Sequence, residues 1–272
     1  MPWCPATAKS TRFVTRFTTS PDGLAIAYDA VGAGPPIVLI HGFAASRAIT
    51  WRGTLWYDWL TRAGHTVIAL DCRGHGESDK PHDAASYDDQ KMLGDILAVM
   101  AAEDISRADV MGYSMGGYLT INLAHERPDV VTRAVIAGVG ENYFSFWAER
   151  DKTIAEGLLA KDESEITDPL AQEFRAFAEK GNNDLKALAA CMLRRRLSFT
   201  ASELRMITTP ALIAVGELDS IAGLPDPLAS VMGNARGLVL PRRNHHSAVG
   251  DLVYKRAVKD FFGSEPEGRG AP

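Results

Sequence analysis

The segment "GYSMG", residues 112–116, matches the pattern G-x-S-x-G and places Ser114 between two stretches of different periodicity. The segment before it, "RADVMGY", is typical of a buried strand, and the segment after it, "MGGYLTINLAHE", has helical spacing. This order of strand, tight turn and helix holds a serine strained and exposed at the end of the strand. Ser114 is therefore our candidate nucleophile, and a helix-capping serine in a glycine-rich turn is the alternative.

The same turn predicts where a developing oxyanion would be stabilised. A helix N-terminus points free N–H groups at this position, and the backbone N–H of Met115, directly after the serine, supplies one donor. A second donor is expected from the loop after the third strand, where "HGF" follows "PIVLI". We assign it to the backbone N–H of Phe43, and we expect His41 to hold this loop through hydrogen bonds.

Outward from this turn, the chain alternates between strands and helices. "PPIVLIH", "HTVIALD" and "PALIAVG" are short apolar runs typical of strands buried on both faces, and helical periodicity follows them. Repeated alternation of this kind indicates an α/β protein. We predict a mostly parallel twisted sheet of about eight strands with helices on both faces, begun by an antiparallel hairpin at "TSPDG".

The alternation is interrupted at residues 141–205, which have helical periodicity and no convincing strand. Because this segment directly follows a strand, it would lie over the crevice where open α/β sheets bind ligands. We predict a helical cap at 141–205 inserted into a core of residues 12–140 and 206–263, with an insertion unrelated to binding as the alternative. Residues 1–11 and 264–272 are predicted to be flexible termini.

Composition and motifs limit the classes of function. The net charge of −5 argues against nucleic acid as a partner. Three widely spaced cysteines without a C-x-x-C pair predict reduced thiols, and no apolar run is long enough for a membrane span or signal peptide. Dinucleotide, Walker A and zinc-protease motifs are absent from the sequence. We expect a cytoplasmic monomer or homodimer that acts on a small molecule, with no metal, no organic cofactor and no membrane partner.

Five segments in this order, "LIHGF", "LDCRGHGESD", "GYSMGG", "VGELD" and "NHH", resemble the α/β-hydrolase fold superfamily, specifically its small capped serine hydrolases. The resemblance covers residues 12 to about 263 and implies a nucleophile, an acid and a histidine in that chain order. It implies that the acid is Asp219, just past the strand after the cap, with Glu217 and Asp226 as alternatives. In this superfamily the motif around Asp71 is usually architectural.

The histidine is expected on the loop before the last helix, where "PRRNHHSAVGD" holds His245 and His246 side by side. In similar sequences the catalytic histidine is followed by one variable residue and a short loop into a helix ending in "FF" or "FL". This spacing favours His245. Adjacent residues of an extended loop point in roughly opposite directions, so only one of the two faces Ser114. His246 would line the pocket or face solvent.

The resemblance implies a serine hydrolase that cleaves a carboxylic ester of a small to medium, mainly apolar substrate through an acyl-enzyme. The alternatives are a C–C bond hydrolase of β-diketone or ring-cleavage products, a lactonase, a thioesterase, a perhydrolase and a non-catalytic ligand-binding protein of the same fold. A serine at position 114, in the turn between strand and helix, argues against dehalogenase and epoxide hydrolase chemistry, because related proteins with those activities carry an aspartate at this position.

Side chains of the substrate pocket are expected from the cap and from the loop after the third strand. The aromatic residues Trp51, Trp147 and Phe43 are our candidates. The arginine run at 194–196 is expected on a solvated helix face, and steering of an anionic substrate is the alternative.

Overall fold

A computed structural model describes residues 14–145 and 147–263 of the chain. Its strands are β1 (Arg16–Thr19), β2 (Ala25–Gly32), β3 (Pro36–Ile40), β4 (Thr66–Leu70), β5 (Ala108–Tyr113), β6 (Val131–Ala137), β7 (Ala211–Gly216) and β8 (Ala235–Leu240). The predicted flexible termini, residues 1–11 and 264–272, lie outside the described residues, and so does Phe146.

The described strands form one eight-stranded sheet in the order β1-β2-β4-β3-β5-β6-β7-β8. β1 and β2 form the predicted hairpin, and β2 also pairs antiparallel with β4. All the other strand pairs are parallel. The predicted fold class, a mostly parallel α/β sheet of about eight strands, is therefore confirmed.

The α-helices of the described residues are α1 (Trp56–Arg62), α2 (Asp89–Ala102), α3 (Met115–Glu126), α4 (Ala148–Leu159), α5 (Pro169–Lys180), α6 (Leu185–Met192), α7 (Ala201–Arg205), α8 (Asp226–Val231) and α9 (Leu252–Gly263). None of these helices is both long enough and apolar enough to cross a membrane.

The two faces of the sheet bury separate apolar clusters, because successive side chains of a strand point to opposite sides. In β3, Val38 and Ile40 pack with α2 and α3, whereas Ile37 and Leu39 pack with α1 and α9. All four side chains are fully buried, and each such burial contributes about 1.5–3 kcal/mol to folding. The short apolar runs of the sequence are thus strands that helices cover on both faces.

The helices α4, α5 and α6 lie between β6 and β7 and bury an apolar cluster of their own. Asp168 begins α5 by accepting a hydrogen bond from the Ala171 N–H at 2.8 Å, with Pro169 in the first turn. The cluster of these three helices also contains Ala44 of the loop after β3, so they lie against the carboxyl end of that strand.

The next helix, α7, packs against the core. Its Leu204 is fully buried in the cluster that α2, α3 and α8 form on one face of the sheet. α7 lies inside the predicted cap range 141–205, but by its contacts it belongs with the helices that cover the sheet. The division of the chain at residues 140 and 206 stays a prediction.

Candidate active site

Ser114 lies in a strained turn between β5 and α3. Its backbone has φ 54° and ψ −113°, which are uncommon values for a residue with a side chain. Its N–H donates to the Ala137 carbonyl of β6 at 2.7 Å. The flanking glycines permit the turn, because a Cβ at Gly112 would lie 1.9 Å from the Gly116 carbonyl oxygen and one at Gly116 would lie 2.0 Å from the Ile40 carbonyl oxygen.

His245 lies between Ser114 and Asp219. Its Nε2 is 3.0 Å from the Ser114 Oγ, and its Nδ1 is 2.7 Å from an Asp219 carboxylate oxygen. An ionised carboxylate can only accept hydrogen bonds, so Nδ1 carries the proton and Nε2 is free to accept from the serine hydroxyl. Both His245 and Asp219 are buried, so water competes little for these hydrogen bonds.

Asp219 is oriented by the turn that follows β7. One of its carboxylate oxygens accepts the N–H groups of Ile221 at 3.0 Å and Ala222 at 2.9 Å, which leaves the other for His245. Of the alternatives, Glu217 accepts from the Arg242 N–H at 2.8 Å, and Asp226 begins α8. Neither side chain is brought to His245 by the fold.

Asp71 takes part in a buried ion pair. It accepts hydrogen bonds from the backbone N–H and the guanidinium of Arg47, and from the Glu77 N–H at 2.8 Å. This carboxylate ties the loop after β4 to the loop after β3. Its contacts are those of the architectural residue that the resemblance implies.

The loop after β3 is held by His41, as we expect from the sequence. The His41 Nδ1 lies 2.7 Å from the Gly42 carbonyl oxygen and donates to it, while Nε2 accepts from the Cys72 N–H at 3.0 Å. Burial lowers the pKa of His41. The Cys72 N–H needs an acceptor at Nε2, and this hydrogen bond fixes the tautomer. The rings of His75 and Phe43 complete the packing, with centroids 5.7 Å apart.

Phe43 and Met115, whose backbone N–H groups are the predicted oxyanion donors, line a cavity together with Ser114. Met115 is the first residue of α3, so its N–H has no partner within the helix. Across residues 14–145 and 147–263, neither N–H donates to a backbone carbonyl of a turn or loop. An oxyanion at Ser114 requires two donors of this kind, and these two N–H groups stay our candidates.

A cavity of about 180 Å³ opens at Ser114. Its walls are mainly apolar and come from the loop after β3, the turn at 48–54, helix α5 and the loop of His245. The lining residues are Gly42, Phe43, Ala45, Ile49, Thr50, Thr54, Tyr113, Ser114, Glu173, Phe174, Phe177, Ile221, His245, His246 and Val249.

Two of the expected pocket residues do not line this cavity. Trp51 is fully buried on the opposite side of its helical turn, where its ring contacts Trp56 at a centroid distance of 6.3 Å. Trp147 stacks on the guanidinium of Arg150, with the Arg150 Cζ 3.5 Å from the ring centroid. The aromatic walls come instead from Phe43, from Tyr113 and from two residues of α5, Phe174 and Phe177.

His246 lies at the rim of the cavity and faces α5. Its Nε2 is 3.3 Å from the Glu173 Oε1, and its ring lies 5.2 Å from that of Phe177. About half of the His246 and Glu173 side chains remain exposed. The two adjacent histidines therefore diverge as expected, one toward Ser114 and the other toward α5.

A second, smaller cavity of about 40 Å³ adjoins Ser114 on the side of Met115. Arginines line it, and two of them come from the run at 194–196. The expectation of a solvated helix face was wrong for Arg194, which is buried with its Nε 2.9 Å from Asp89. The run begins after α6 ends at Met192, so helical spacing does not apply to it.

Sequence reasoning missed other residues of the site. The Tyr113 hydroxyl donates to the His245 carbonyl and so holds the histidine loop against β5. Arg150 lies in α4, and Glu173 and Phe174 lie in α5, where no motif marks them. In the described ranges, no group of three or more His, Cys, Asp or Glu side chains is arranged to hold a metal ion.

The chain thus combines a strained serine after a parallel strand, a histidine after the last strand and a helical insertion between them, all on an α/β sheet. Residues 35–188 match the family model described as the alpha/beta hydrolase fold. The chain belongs to this family, as the resemblance implies.

Curated relatives of the chain differ in activity and in the extent of the match. The 2-hydroxy-6-oxononadienedioate/2-hydroxy-6-oxononatrienedioate hydrolase of Cupriavidus pinatubonensis is 28% identical over 281 residues, covering 92% of this chain and 96% of that protein. An epoxide hydrolase of Caballeronia sordidicola is 32% identical over 123 residues, covering 45% and 36%. The chain spans only about a third of the length of this and several other curated relatives.

Solved structures of the same fold align along nearly the whole chain. A hydrolase from Pseudomonas aeruginosa PA01 has a TM-score of 0.77 at 25% identity, covering 94% of this chain and 100% of that one. A meta-cleavage product hydrolase from Pseudomonas fluorescens IP01 has a TM-score of 0.67 at 24% identity, covering 91% and 97%. The latter likeness shows the fold.

Proposed function

We propose that this protein is a serine hydrolase that cleaves a carboxylic ester of a small to medium, mainly apolar substrate through an acyl-enzyme. The observation that carries the proposal is the continuous chain of hydrogen bonds from Ser114 to Asp219. Its two steps are 3.0 Å from Oγ to the His245 Nε2 and 2.7 Å from the His245 Nδ1 to Asp219. Such a chain is the geometry of an activated nucleophile.

In the first half of the proposed reaction, Nε2 of His245 accepts the hydroxyl proton while the Ser114 Oγ attacks the carbonyl carbon of the ester. The N–H groups of Phe43 and Met115 stabilise the oxyanion of the tetrahedral intermediate. Asp219 stabilises the imidazolium that forms. The imidazolium then protonates the leaving alkoxide oxygen as the C–O bond breaks, and the acyl group stays on Ser114.

In the second half, water takes the place of the alcohol. His245 accepts a proton from the water, and the water oxygen attacks the acyl carbon. The second tetrahedral intermediate collapses with return of the proton from His245 to the Ser114 Oγ, which releases the carboxylic acid. These steps balance without a metal or an organic cofactor, and we propose that none takes part.

The proposed substrate class follows from the larger cavity. Its volume of about 180 Å³ and its walls of Ile49, Phe174, Phe177 and Val249 favour an apolar group of modest size beside Ser114. We propose that residues 141–205 act as a cap over this group. The contact between Phe43 and Phe174, with ring centroids 5.8 Å apart, supports this role.

We propose a cytoplasmic location for the protein. Cys72 and Cys191 are both buried and free, and this supports a reducing environment. Burial raises the pKa of both thiols, so they are protonated at neutral pH and neither competes with Ser114 as a nucleophile.

The second candidate function is hydrolysis of a C–C bond in a β-diketone or a ring-cleavage product. The match to the Cupriavidus pinatubonensis hydrolase along 92% of this chain favours it. Nitrophenyl esters of graded chain length, compared with a ring-fission product as substrates, separate the two candidates. Epoxide opening is disfavoured despite the epoxide hydrolase relatives, because Ser114 stands where that chemistry requires an aspartate.

Intact-protein mass spectrometry after exposure to a fluorophosphonate probe tests the proposal. We expect the wild type and His246→Ala to gain one adduct, and Ser114→Ala and His245→Ala to gain none. His246→Ala is the matched control, since it removes the adjacent imidazole. Labelling that survives the loss of His245 and disappears with His246 would reverse their roles, and an unlabelled wild type would favour a ligand-binding protein.

A further inference from the structure

The smaller cavity differs from the larger one in its charge. Both open at Ser114 and share Phe43, Phe174 and Ile221, but only the larger one contains His245. The smaller cavity extends past Met115 to three guanidinium groups, those of Arg150, Arg194 and Arg196. A substrate bound at Ser114 therefore has an apolar cavity on one side and a cationic one on the other.

Two carboxylates face these three arginines. Asp89 binds Arg194, with an oxygen 2.9 Å from its Nε. Asp151 is shared, with one oxygen 2.8 Å from Arg196 and the other 3.2 Å from Arg150. Because arginine stays protonated at all ordinary pH values, the cluster has one positive charge in excess of its carboxylates.

The excess charge is poorly solvated. The side chains of Arg150 and Arg196 are only 26% and 21% exposed, and that of Arg194 only 1%. Burial, followed by the neighbouring charge of Arg194, lowers the pKa of Arg196 to about 10. A buried cation without a full counter-charge is costly unless a ligand supplies the charge.

Two donors of the cluster have no acceptor. The Nε atoms of Arg150 and Arg196 are buried and lack a hydrogen-bond partner among the described residues. The Trp147 ring covers one face of the Arg150 guanidinium and leaves the in-plane edge of the group, where its N–H donors lie, uncovered by that ring. Buried donors of this kind are normally satisfied. The guanidinium groups that carry them line the smaller cavity, where a ligand with acceptor oxygens would offset the cost.

We propose that this cluster, Arg150, Arg194 and Arg196, binds a carboxylate group of the substrate. The volume of about 40 Å³ holds roughly three water-sized groups, which matches the three heavy atoms of a carboxylate. Guanidinium and carboxylate groups form paired, charge-assisted hydrogen bonds. The inference rests on the proposed function and refines it: the substrate has a carboxylate on one side of the scissile carbonyl and an apolar group on the other.

Two matched pairs of esters test the inference and distinguish which half of the substrate carries the charge. In the first pair, para-nitrophenyl glutarate is compared with its methyl ester, so the carboxylate is on the acyl half. In the second, para-carboxyphenyl butyrate is compared with para-carbamoylphenyl butyrate, so it is on the alcohol half. The measured quantity is the ratio of kcat/KM for the anionic ester to kcat/KM for the neutral one.

We expect the wild type to prefer the anionic ester in one of the two pairs by about ten- to a hundred-fold, the range for a charge-assisted hydrogen bond. Arg196→Gln should reduce that ratio to near one. Arg195→Gln is the matched control, because it removes an exposed charge from the same run and should leave the ratio unchanged. Arg150→Gln should lower the ratio as Arg196→Gln does.

Equal use of anionic and neutral esters in both pairs, or a ratio that Arg196→Gln leaves unchanged, overturns the inference. If Arg196→Gln does not fold, competitive inhibition of the wild type is measured instead. Glutarate should inhibit and the uncharged dimethyl glutarate should not, and equal inhibition by the two would overturn the inference. If the wild type takes no fluorophosphonate and cleaves none of the four esters, the proposed function has failed. Calorimetric titration with glutarate then still tests the anion site by itself.

Discussion

The core around the sheet and the proposed cap, residues 141–205, hold their parts of the site in different ways. In the core, backbone groups position the reacting side chains: the Ser114 N–H bonds to Ala137, and two N–H groups orient Asp219. In the cap, side chains hold side chains, as in the half-exposed contact of Glu173 with His246. The core is therefore suited to fix the reaction and the cap to adjust which substrate enters.

The largest effect is expected from a core residue that does not touch the substrate. Asp219→Asn should lower kcat by about 10⁴-fold, because the amide can donate to Nδ1 and so favours the wrong tautomer of His245. Steady-state kinetics on a nitrophenyl ester measures this. Glu217→Gln, two residues away on the same turn, is the control and should change kcat less than about threefold. Equal losses in the two variants would contradict our choice of the acid.

The next prediction concerns the stability of the core at low pH. Burial lowers the pKa of His75 to about 3, beneath the same loop that carries Phe43. In the unfolded chain the pKa of this imidazole is about 6.5. The unfolded state therefore binds more protons between these values. The free energy of unfolding should fall as the pH is lowered through this range, by up to about 1.4 kcal/mol per pH unit.

Urea unfolding at several pH values between 7 and 4 measures this slope. His75→Gln removes the titrating group, so its free energy of unfolding should depend less steeply on pH than that of the wild type. His82→Gln is the control, since that side chain is 52% exposed and has no comparable burial. If the free energy of unfolding depends on pH equally in all three proteins, protonation of His75 does not contribute to the loss of stability at low pH.

A smaller effect is expected from an apolar residue of the cap. Phe174 lines both cavities and contacts Phe43, so Phe174→Ala should raise KM for an apolar ester by about tenfold. The change in kcat should be smaller, because the hydrogen bonds at Ser114 remain. Phe144→Ala is the control, as this half-exposed ring lies at neither cavity. A larger loss in kcat than in KM would place Phe174 in the chemistry and weaken the division between core and cap.

The smallest effect is expected from Glu173→Gln. Its contact with His246 is half exposed, and exposed ion pairs contribute only about 0–1 kcal/mol. KM should change by about threefold or less, and the melting temperature should hardly move. The exposed carboxylate of Glu163, on the same insertion, provides the matched variant Glu163→Gln. An effect on kcat of tenfold or more would mean that this rim contact also orients His245.

The same contrast explains what the sequence could predict. The strands are visible as short apolar runs because both of their faces are buried, as for Ile37 to Ile40 in β3. Ser114 is visible because its conformation depends on neighbours within a few residues, Gly112 and Gly116. Both signals are local in the chain, so a single sequence contains them.

The pocket could not be predicted in the same way. Ile49 and Trp51 share one helical turn, yet Ile49 lines the cavity and Trp51 enters the core, and only the packing of the whole fold decides between them. The burial of Arg194 depends on Asp89, which is 105 residues away in the chain. Partners at such separations leave no local pattern.

After β6 the chain leaves the sheet to form the proposed cap. It rejoins the sheet at β7, the strand directly beside β6. Ala137 of β6 pairs with Ala214 of β7, and the strand residues before them pair in the same register. This pairing does not depend on the length of the insertion between β6 and β7. Insertions or deletions in α4 to α6 can therefore reshape both cavities without shifting the register of the strands. In evolutionary terms, this architecture lets the two cavities vary while the geometry around Ser114 is kept.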